Sequence, residues 1–271
     1  MVFCKISSLS KSKWPKSKWP KFKLPGSKLP EYVLRFISLG FLLIVTASCT
    51  VNPATGDQQF TLFMPPEQEA EIGAAEHKKI MQLFGGTVKN TDIQNYVNDI
   101  GQRLIPVTER PEVEYTFYVL DTPIINAFAL PGGYVYVTRG LVGLASTEAQ
   151  LASVVGHEIG HITARHSAER YSQGILASLG TAVLGASVEN PNIVDAAQLG
   201  SQLYITSYSR DQEREADQLG IRYLGKTGYN SLAASSFLRK LERYSDLQSV
   251  IKGKGGQDGF SFFSTHPKTQ E

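Results

Sequence analysis

The strongest pattern in the chain lies in LASVVGHEIGHITARH, Leu151 to His166, where Leu151, Val154, Val155, Ile159 and Ile162 recur at three- and four-residue spacing. That period places them on one side of an α-helix. Ser146 or Thr147 can cap its start, and Thr147 with Gln150 fits a capping box. Gly156 and Gly160, four apart, weaken the helix locally but permit another backbone to come close. Two earlier stretches share the helical period. EQEAEIGAAEHKKIMQLF has acids in its first turn and Lys78 and Lys79 toward its end. DIQNYVNDIGQRLI, capped by Asn90 or Thr91, spaces Ile93, Tyr96, Val97, Ile100 and Leu104 helically. His77, in the first of these, reads as a surface residue. Between residues 113 and 138 the period changes to two. VEYTFYVL, IINAFAL and GYVYVT are β-branched and aromatic, and Pro131-Gly132-Gly133 supplies a turn. These runs predict a small, mostly antiparallel sheet. Downstream, residues 171–188 carry no charge and predict a helix packed on its neighbours. Asn190-Pro191 opens a further helix expected to run through YITSYSRDQEREADQLGIRYLGKTG, and SLAASSFLRKLERYSDL is another amphipathic helix. The fold class is therefore α+β, mostly helical.

Charge and composition add an address. Nine of the 27 Lys and Arg, but one of the 25 Asp and Glu, lie in residues 1–48; this leaves 18 basic and 24 acidic residues, net −6, from Cys49 onward. The basic character belongs to the leader, so no nucleic-acid partner is expected. Residues 1–35 are rich in Lys, Ser and Pro, and FISLGFLLIVTAS (36–48) is an apolar run too short for a comfortable membrane span. Ala47-Ser48 before Cys49 resemble a bacterial lipobox, although Thr46 departs from the usual Leu-like residue. That reading gives cleavage before Cys49, lipidation of Cys49 and a lipid anchor in the membrane. The alternatives are an ordinary cleaved signal or an uncleaved anchor. Thr50, not Asp, follows the cysteine, which favours the outer membrane. The chain thus divides into a leader (1–48), a turn-rich linker (49–64) and a folded domain (65–271).

The chemistry sits in His157-Glu158-Ile159-Gly160-His161. Residues four apart share a helical face, so both imidazoles can aim at one point, as in the two-histidine half of a zinc site. Glu158 is placed to take a proton from water activated at that metal. A third ligand is still needed. The position ten residues after His157 is Ser167, and Ala164 stands where the metzincin pattern wants Gly. His166 is nine residues on, about 900° around a continuous helix and hence on the opposite face. It is expected to be structural or on the surface. A deformylase would need a cysteine ligand, and the folded region has none. Glu213 and Asp217 in EREAD are the leading candidates: four apart on one helical face, one can bind metal while the other hydrogen-bonds a ligating histidine. Glu215 between them is expected to take no part.

Together, NAFALPGGYVYVTRGL (126–141), HEIGH with ITARH after it, SRDQEREAD (209–217) and THP (265–267) resemble the HtpX-like zinc metallopeptidases, a gluzincin family that includes the CAAX prenyl proteases, and most closely its periplasmic quality-control lipoproteins. The resemblance covers about residues 60–271. It implies a zincin-like fold with the sheet beside the HExxH helix and one Zn²⁺ per chain. It implies His157, His161 and Glu213 as metal ligands, Glu158 as general base and Asp217 as the support of a ligand. His266, in the family's His-Pro, is implied as a catalytic group that stabilises the transition state or as a zinc ligand of a latent state. The family pattern continues with an Arg a few residues past His-Pro, a position beyond Glu271, which implies a C-terminus cut short.

The expected function is zinc-dependent hydrolysis of peptide bonds in unfolded or misassembled envelope polypeptides, on the periplasmic side. An extended substrate can add as a strand to the sheet edge near Asn126, Phe128 and Ala129. The alternative is an envelope chaperone or assembly lipoprotein that keeps a zinc site but cleaves little.

Overall fold

The structure is a computed structural model, and it describes residues 49–185, 207–252 and 262–267. The chain divides into two compact units, Met1–Ile44 and Val45–Glu271, and all described residues belong to the second. The leader, the Asn190-Pro191 helix start and the KGKGGQDG loop lie outside the described residues.

Two short strands, β1 (Cys49–Val51) and β2 (Gln58–Phe60), pair antiparallel. They occupy part of the stretch that composition assigns to a linker. The turn between them is closed by Asn52, whose amide donates to the Asp57 carbonyl and whose carbonyl accepts from Gly56. Helix α1 (Pro66–Leu83) starts with proline in its first turn, where no helical partner for an N–H is lost. Helix α2 (Thr91–Leu104) is capped by Asn90, whose side chain accepts from the Asp92 and Ile93 amides.

Strands β3 (Thr116–Leu120), β4 (Ala127–Leu130) and β5 (Tyr134–Thr138) form a sheet in the order β3-β5-β4. Strand β5 runs antiparallel to β4 but parallel to β3. The expected antiparallel character thus holds for the β4–β5 hairpin and not for β3. The chain from Asp121 to Asn126 skips one strand position, and the hairpin return of β5 fills it. Gly132 and Gly133 hold φ of +77° and +95° in that hairpin turn, a region costly for any residue with a Cβ.

Alternation splits the sheet into two faces. Phe117, Val119, Ala127, Ala129, Val135 and Val137 enter the main core with the helices. Leu120, Phe128, Leu130 and Tyr136 join Met64 and Ile80 on the other face. There Tyr118, Tyr136 and Phe128 stack across all three strands, with ring centroids 5.4 and 4.8 Å apart. His77 is part of this stack: its ring lies 4.7 Å from that of Tyr118, and its Nδ1 is 2.7 Å from the Tyr136 hydroxyl. His77 is thus half-buried against the sheet and stands outside the candidate metal ligands, as expected.

Helix α3 (Arg139–Leu144) leads to α4 (Glu148–Thr163), which carries HEIGH and is buried along nearly its whole length. Thr147 is its N-cap and accepts from the Gln150 amide, while the Gln150 side chain reaches back to the Ser146 amide instead of to Thr147. After Ala164 the chain turns sharply and α5 (His166–Gly185) begins. Among the described residues no helix is long and apolar enough to cross a membrane. Helix α6 (Arg210–Lys226) starts at a full capping box, Ser209 with Gln212, later than the helix expected from Pro191. Helix α7 (Leu232–Lys252) and a short α8 (Phe262–Thr265) complete the described elements.

The most extensive helix pairing joins α4 to α6. Small residues make it possible. A Cβ on Gly220 of α6 would sit 3.0 Å from the His157 nitrogen, and one on Gly160 of α4 would sit 3.1 Å from the Ala216 carbonyl oxygen. Backbones this close bring a side chain one to two turns up α6 within reach of the histidines of α4.

Candidate metal centre

His157 and His161 face the same point, with their Nε2 atoms 3.0 Å apart. Glu213, in the first turn of α6, comes in beside them: its Oε2 is 3.5 Å from His157 Nε2 and its Oε1 is 3.4 Å from His161 Nε2. The segment after α8 brings the fourth group. His266 Nδ1 lies 3.2 Å from His157 Nε2 and 3.1 Å from Glu213 Oε1. All four residues are buried, and one ligand atom from each lies within 4.8 Å of the others.

These separations test the fit of a metal. A tetrahedral ion with bonds of about 2.0–2.1 Å holds its donor atoms about 3.3 Å apart. The observed 3.0 to 3.5 Å spans that edge length. Two imidazole nitrogens at this distance can share a proton or a cation; here a carboxylate and a third imidazole converge on the same point, which favours the cation. The residues fit the group.

Electrostatics point the same way. Burial works against the charge of Glu213, yet the surrounding imidazoles, His266 foremost, hold its carboxyl well below the usual carboxylate range. Burial pushes His161 well below its ordinary value, with Glu213 opposing, so this imidazole is neutral and free to donate its lone pair. Burial alone would lower His157 too, but Asp217 and then Glu213 raise it well above the ordinary value. Asp217 Oδ1 is 3.0 Å from His157 Nδ1 and orients that ring.

Glu158 is fully buried, and neither of its oxygens makes a hydrogen bond. Its Oε1 lies 3.4 Å from His266 Nε2. Burial raises its carboxyl pKa, against the pull of His266 and His157. A buried carboxyl left without hydrogen bonds costs about 1–3 kcal/mol or more. Such a cost at the centre of a helix is retained where the group has a task.

The sheet edge runs past this site. Asn126 bonds to Thr138 at the end of β5, so Phe128 and Leu130 fall on the bonded positions of the ladder. The backbone groups of Ala127 and Ala129 therefore face away from β5. The Ala127 carbonyl is 3.3 Å from His266 Nε2, which puts the strand against the metal ligands. Asn126 is buried, with its Oδ1 accepting from the Ala127 amide and from Thr265. The Phe128 ring packs away from the site, on Tyr136. A narrow cleft adjoins the centre, lined by Val154, His157, Phe237, Leu241, Phe263 and His266 among others.

Sequence reasoning missed two neighbours. Tyr208, just before the α6 cap, stacks on His161 with centroids 3.8 Å apart. His166 is fully buried with its Nδ1 only 2.9 Å from His161 Nδ1. The helical extrapolation failed because α4 does not continue: Arg165 adopts φ +59°, reversing the chain so that His166 folds back. No local signal marks that break; Arg165 is held there by a buried partner, Glu69, far off in sequence.

A metal-dependent peptidase is the class that this helix, donor set and buried glutamate define, and the comparisons agree. The chain belongs to peptidase family M48, whose sequence model matches residues 92–271. It is similar to the beta-barrel assembly-enhancing protease of Escherichia coli, at 31% identity over 186 residues, 64% of this chain and 38% of that protein. The protein of that name from Yersinia pestis is 34% identical over 158 residues, 55% of this chain and 32% of that protein. The mitochondrial metalloendopeptidase OMA1 of Schizosaccharomyces pombe is 29% identical over 205 residues, 75% of this chain and 58% of that protein. The chain thus spans well under half the length of the bacterial relatives it matches.

Proposed function

We propose that the protein is a zinc metalloendopeptidase of the bacterial cell envelope that cuts misfolded or misassembled envelope polypeptides. The observation that carries this reading is Glu158, buried and without hydrogen bonds, beside three imidazoles and a carboxylate at tetrahedral spacing. Borderline-soft nitrogen ligands with one carboxylate suit zinc better than calcium or magnesium. His157, His161 and Glu213 hold the ion, with Asp217 fixing the His157 ring. Zinc in such a site acts as a Lewis acid and lowers the pKa of water to about 7. Glu158 takes the proton from the attacking water and passes it to the leaving amine. Of the expected edge residues, Ala129 has its backbone facing away from β5, and an extended substrate pairing there gains affinity with little sequence selectivity; the Ala127 amide and carbonyl are already bonded to Asn126 and His266.

The envelope assignment rests on the apolar leader ending in Ala47-Ser48-Cys49, read as a lipoprotein signal, and on relatives named for β-barrel assembly. Cys49 is the lipidation site in this reading, and the outer membrane is the destination. His266 supports a refinement. Its Nδ1 completes a four-donor set, and a site with four protein ligands is closed to substrate. With all four bound, the site would be a resting one, and the segment carrying His266 would have to move for cleavage. This also gives the low-proteolysis chaperone alternative a physical basis.

Casein degradation by the purified, zinc-loaded protein tests the assignment. Glu158→Gln is expected to reduce cleavage on the order of 10²–10⁴-fold while zinc content stays the same. Equal cleavage by the parent and this variant would end the catalytic reading. His266→Ala is expected to raise the rate; a fall would make His266 a participant in the reaction instead of a latch.

A further inference from the structure

The two ligating histidines are supported in different ways. His157 rests directly on a carboxylate, Asp217. His161 has no carboxylate at its Nδ1; it meets another imidazole, His166, at 2.9 Å. Behind His166 stands Glu215, whose Oε2 is 3.4 Å from His166 Nε2. That contact is too poorly aligned to be a full hydrogen bond, and it joins a buried imidazole to a partly exposed carboxylate. Behind Glu215 stands Asn52, from the β1–β2 turn, whose Nδ2 donates to Glu215 Oε1 at 2.5 Å.

Proton positions along this line follow from one requirement. To offer Nε2 to a metal, His161 must carry its proton on Nδ1. His161 then donates, and His166 Nδ1 accepts. The His166 proton is therefore on Nε2, the nitrogen that faces Glu215. Each member fixes the tautomer of the next. The geometry has a simple cause. Glu215 and Asp217 are two residues apart on α6, whereas His157 and His161 are four apart on α4. On the Nδ1 side of the two rings Asp217 meets His157 directly, whereas the His166 imidazole stands between Glu215 and His161. It can do so because Arg165 turns the chain back at φ +59°.

We propose that Asn52, Glu215 and His166 form a positioning relay that orients His161 for metal binding, so that the hairpin following Cys49 is a structural part of the metal centre. This rests on the reading of His157, His161 and Glu213 as ligands. It assigns a role to Glu215, which its place on a charged helix did not suggest. It also assigns one to residues 49–60, which lie outside the stretch matched by the family. His166 is a positioning residue and touches neither metal nor substrate.

The test is zinc affinity of the full chain, measured by competition with a chromophoric chelator, together with the visible spectrum of the cobalt-substituted protein. His166→Leu and Glu215→Gln are each expected to weaken zinc binding by about 10–100-fold and to shift the cobalt bands. His166→Asn keeps an acceptor near the position of Nδ1 and is expected to recover most of the affinity. Asn52→Ala, at the far end of the relay, is expected to weaken binding in the same direction by a smaller factor; because Asn52 Oδ1 also accepts from the Ala54 amide, the zinc-free melting temperature is measured beside it. Glu215→Gln, at a partly exposed side chain, decides the matter if a buried substitution unfolds the chain. Parent-like affinity in both Glu215→Gln and Asn52→Ala would overturn the relay. So would an equal loss in His166→Leu and His166→Asn, which would mean packing alone. A parent protein that binds no zinc would instead overturn the metal centre itself.

Discussion

Two glutamates are buried at opposite ends of the α4 environment, and they have been treated in opposite ways. Glu69, from α1, is matched on both oxygens: Arg165 Nε is 2.6 Å from Oε1 and Arg110 Nη1 is 2.9 Å from Oε2. Both arginines also donate to backbone carbonyls, of Met64 and Ile162. Glu158, near the middle of α4, has no hydrogen bond on either oxygen. The first cluster is finished within the chain. The second is complete only when something else enters. Burial and charge alone do not distinguish a structural carboxylate from a working one; the accounting of its hydrogen bonds does.

Removing each carboxylate should therefore have opposite effects on stability. Glu69→Ala leaves the buried Arg165 without a carboxylate and Arg110 with only the longer contact to exposed Glu112, and is expected to cost about 3–5 kcal/mol, read by urea denaturation. Glu158→Gln leaves its charge partner His266 still paired with Glu213, and its unfolding free energy should equal or exceed that of the parent. If both variants lose the same stability, the contrast between the clusters fails. A chelator sharpens the comparison from the metal side. With free zinc at about 100 times its Kd, bound metal contributes about 2.7 kcal/mol, so chelation should lower the melting temperature of the parent. Glu213→Ala should show little of that response, while Glu69→Gln, weakened throughout, should retain it.

Much of this contrast was legible in the sequence, and some was not. The α4 period, the Thr147 cap, the three strands and the α6 acids were read from spacing, because they depend on residues close in the chain. His157 and His161 are set together by helical geometry alone. Glu213 and Asp217 could be named as candidates from their shared helical face, but the ligand role of Glu213 and the place of His266 came from the resemblance, since no local rule spans the distance. The parallel β3–β5 pair and the fold-back of His166 escaped notice for one reason: both depend on how the chain crosses itself. Arg165 in a left-handed conformation is uncommon for a long side chain, and it is the distant Glu69 that makes it tolerable.

Smaller effects should follow from the α4–α6 contact. Gly220→Ala pushes a methyl to 3.0 Å from the His157 nitrogen and is expected to destabilise by about 1–3 kcal/mol and weaken zinc binding. Gly143→Ala, in α3 with nothing within 4 Å of the new Cβ, should stabilise by about 0.5 kcal/mol with no effect on metal. Thermal melts with and without zinc separate the two.

The donors of the proposed centre are drawn from positions 4, 53 and 109 residues apart. An ion there would act as a cross-link between remote parts of the polymer. Closing a loop of about 50 residues restricts the unfolded chain by about 4 kcal/mol in the entropic account of cross-links. The short segment ending at His266 would be tied by it to α4 and α6, beside its existing bonds: the Phe262 amide on Ile125, the Thr265 carbonyl under the Tyr208 amide and the Thr265 hydroxyl on Asn126. Loading and unloading the metal would thus set how firmly the last described segment is fastened to the two helices.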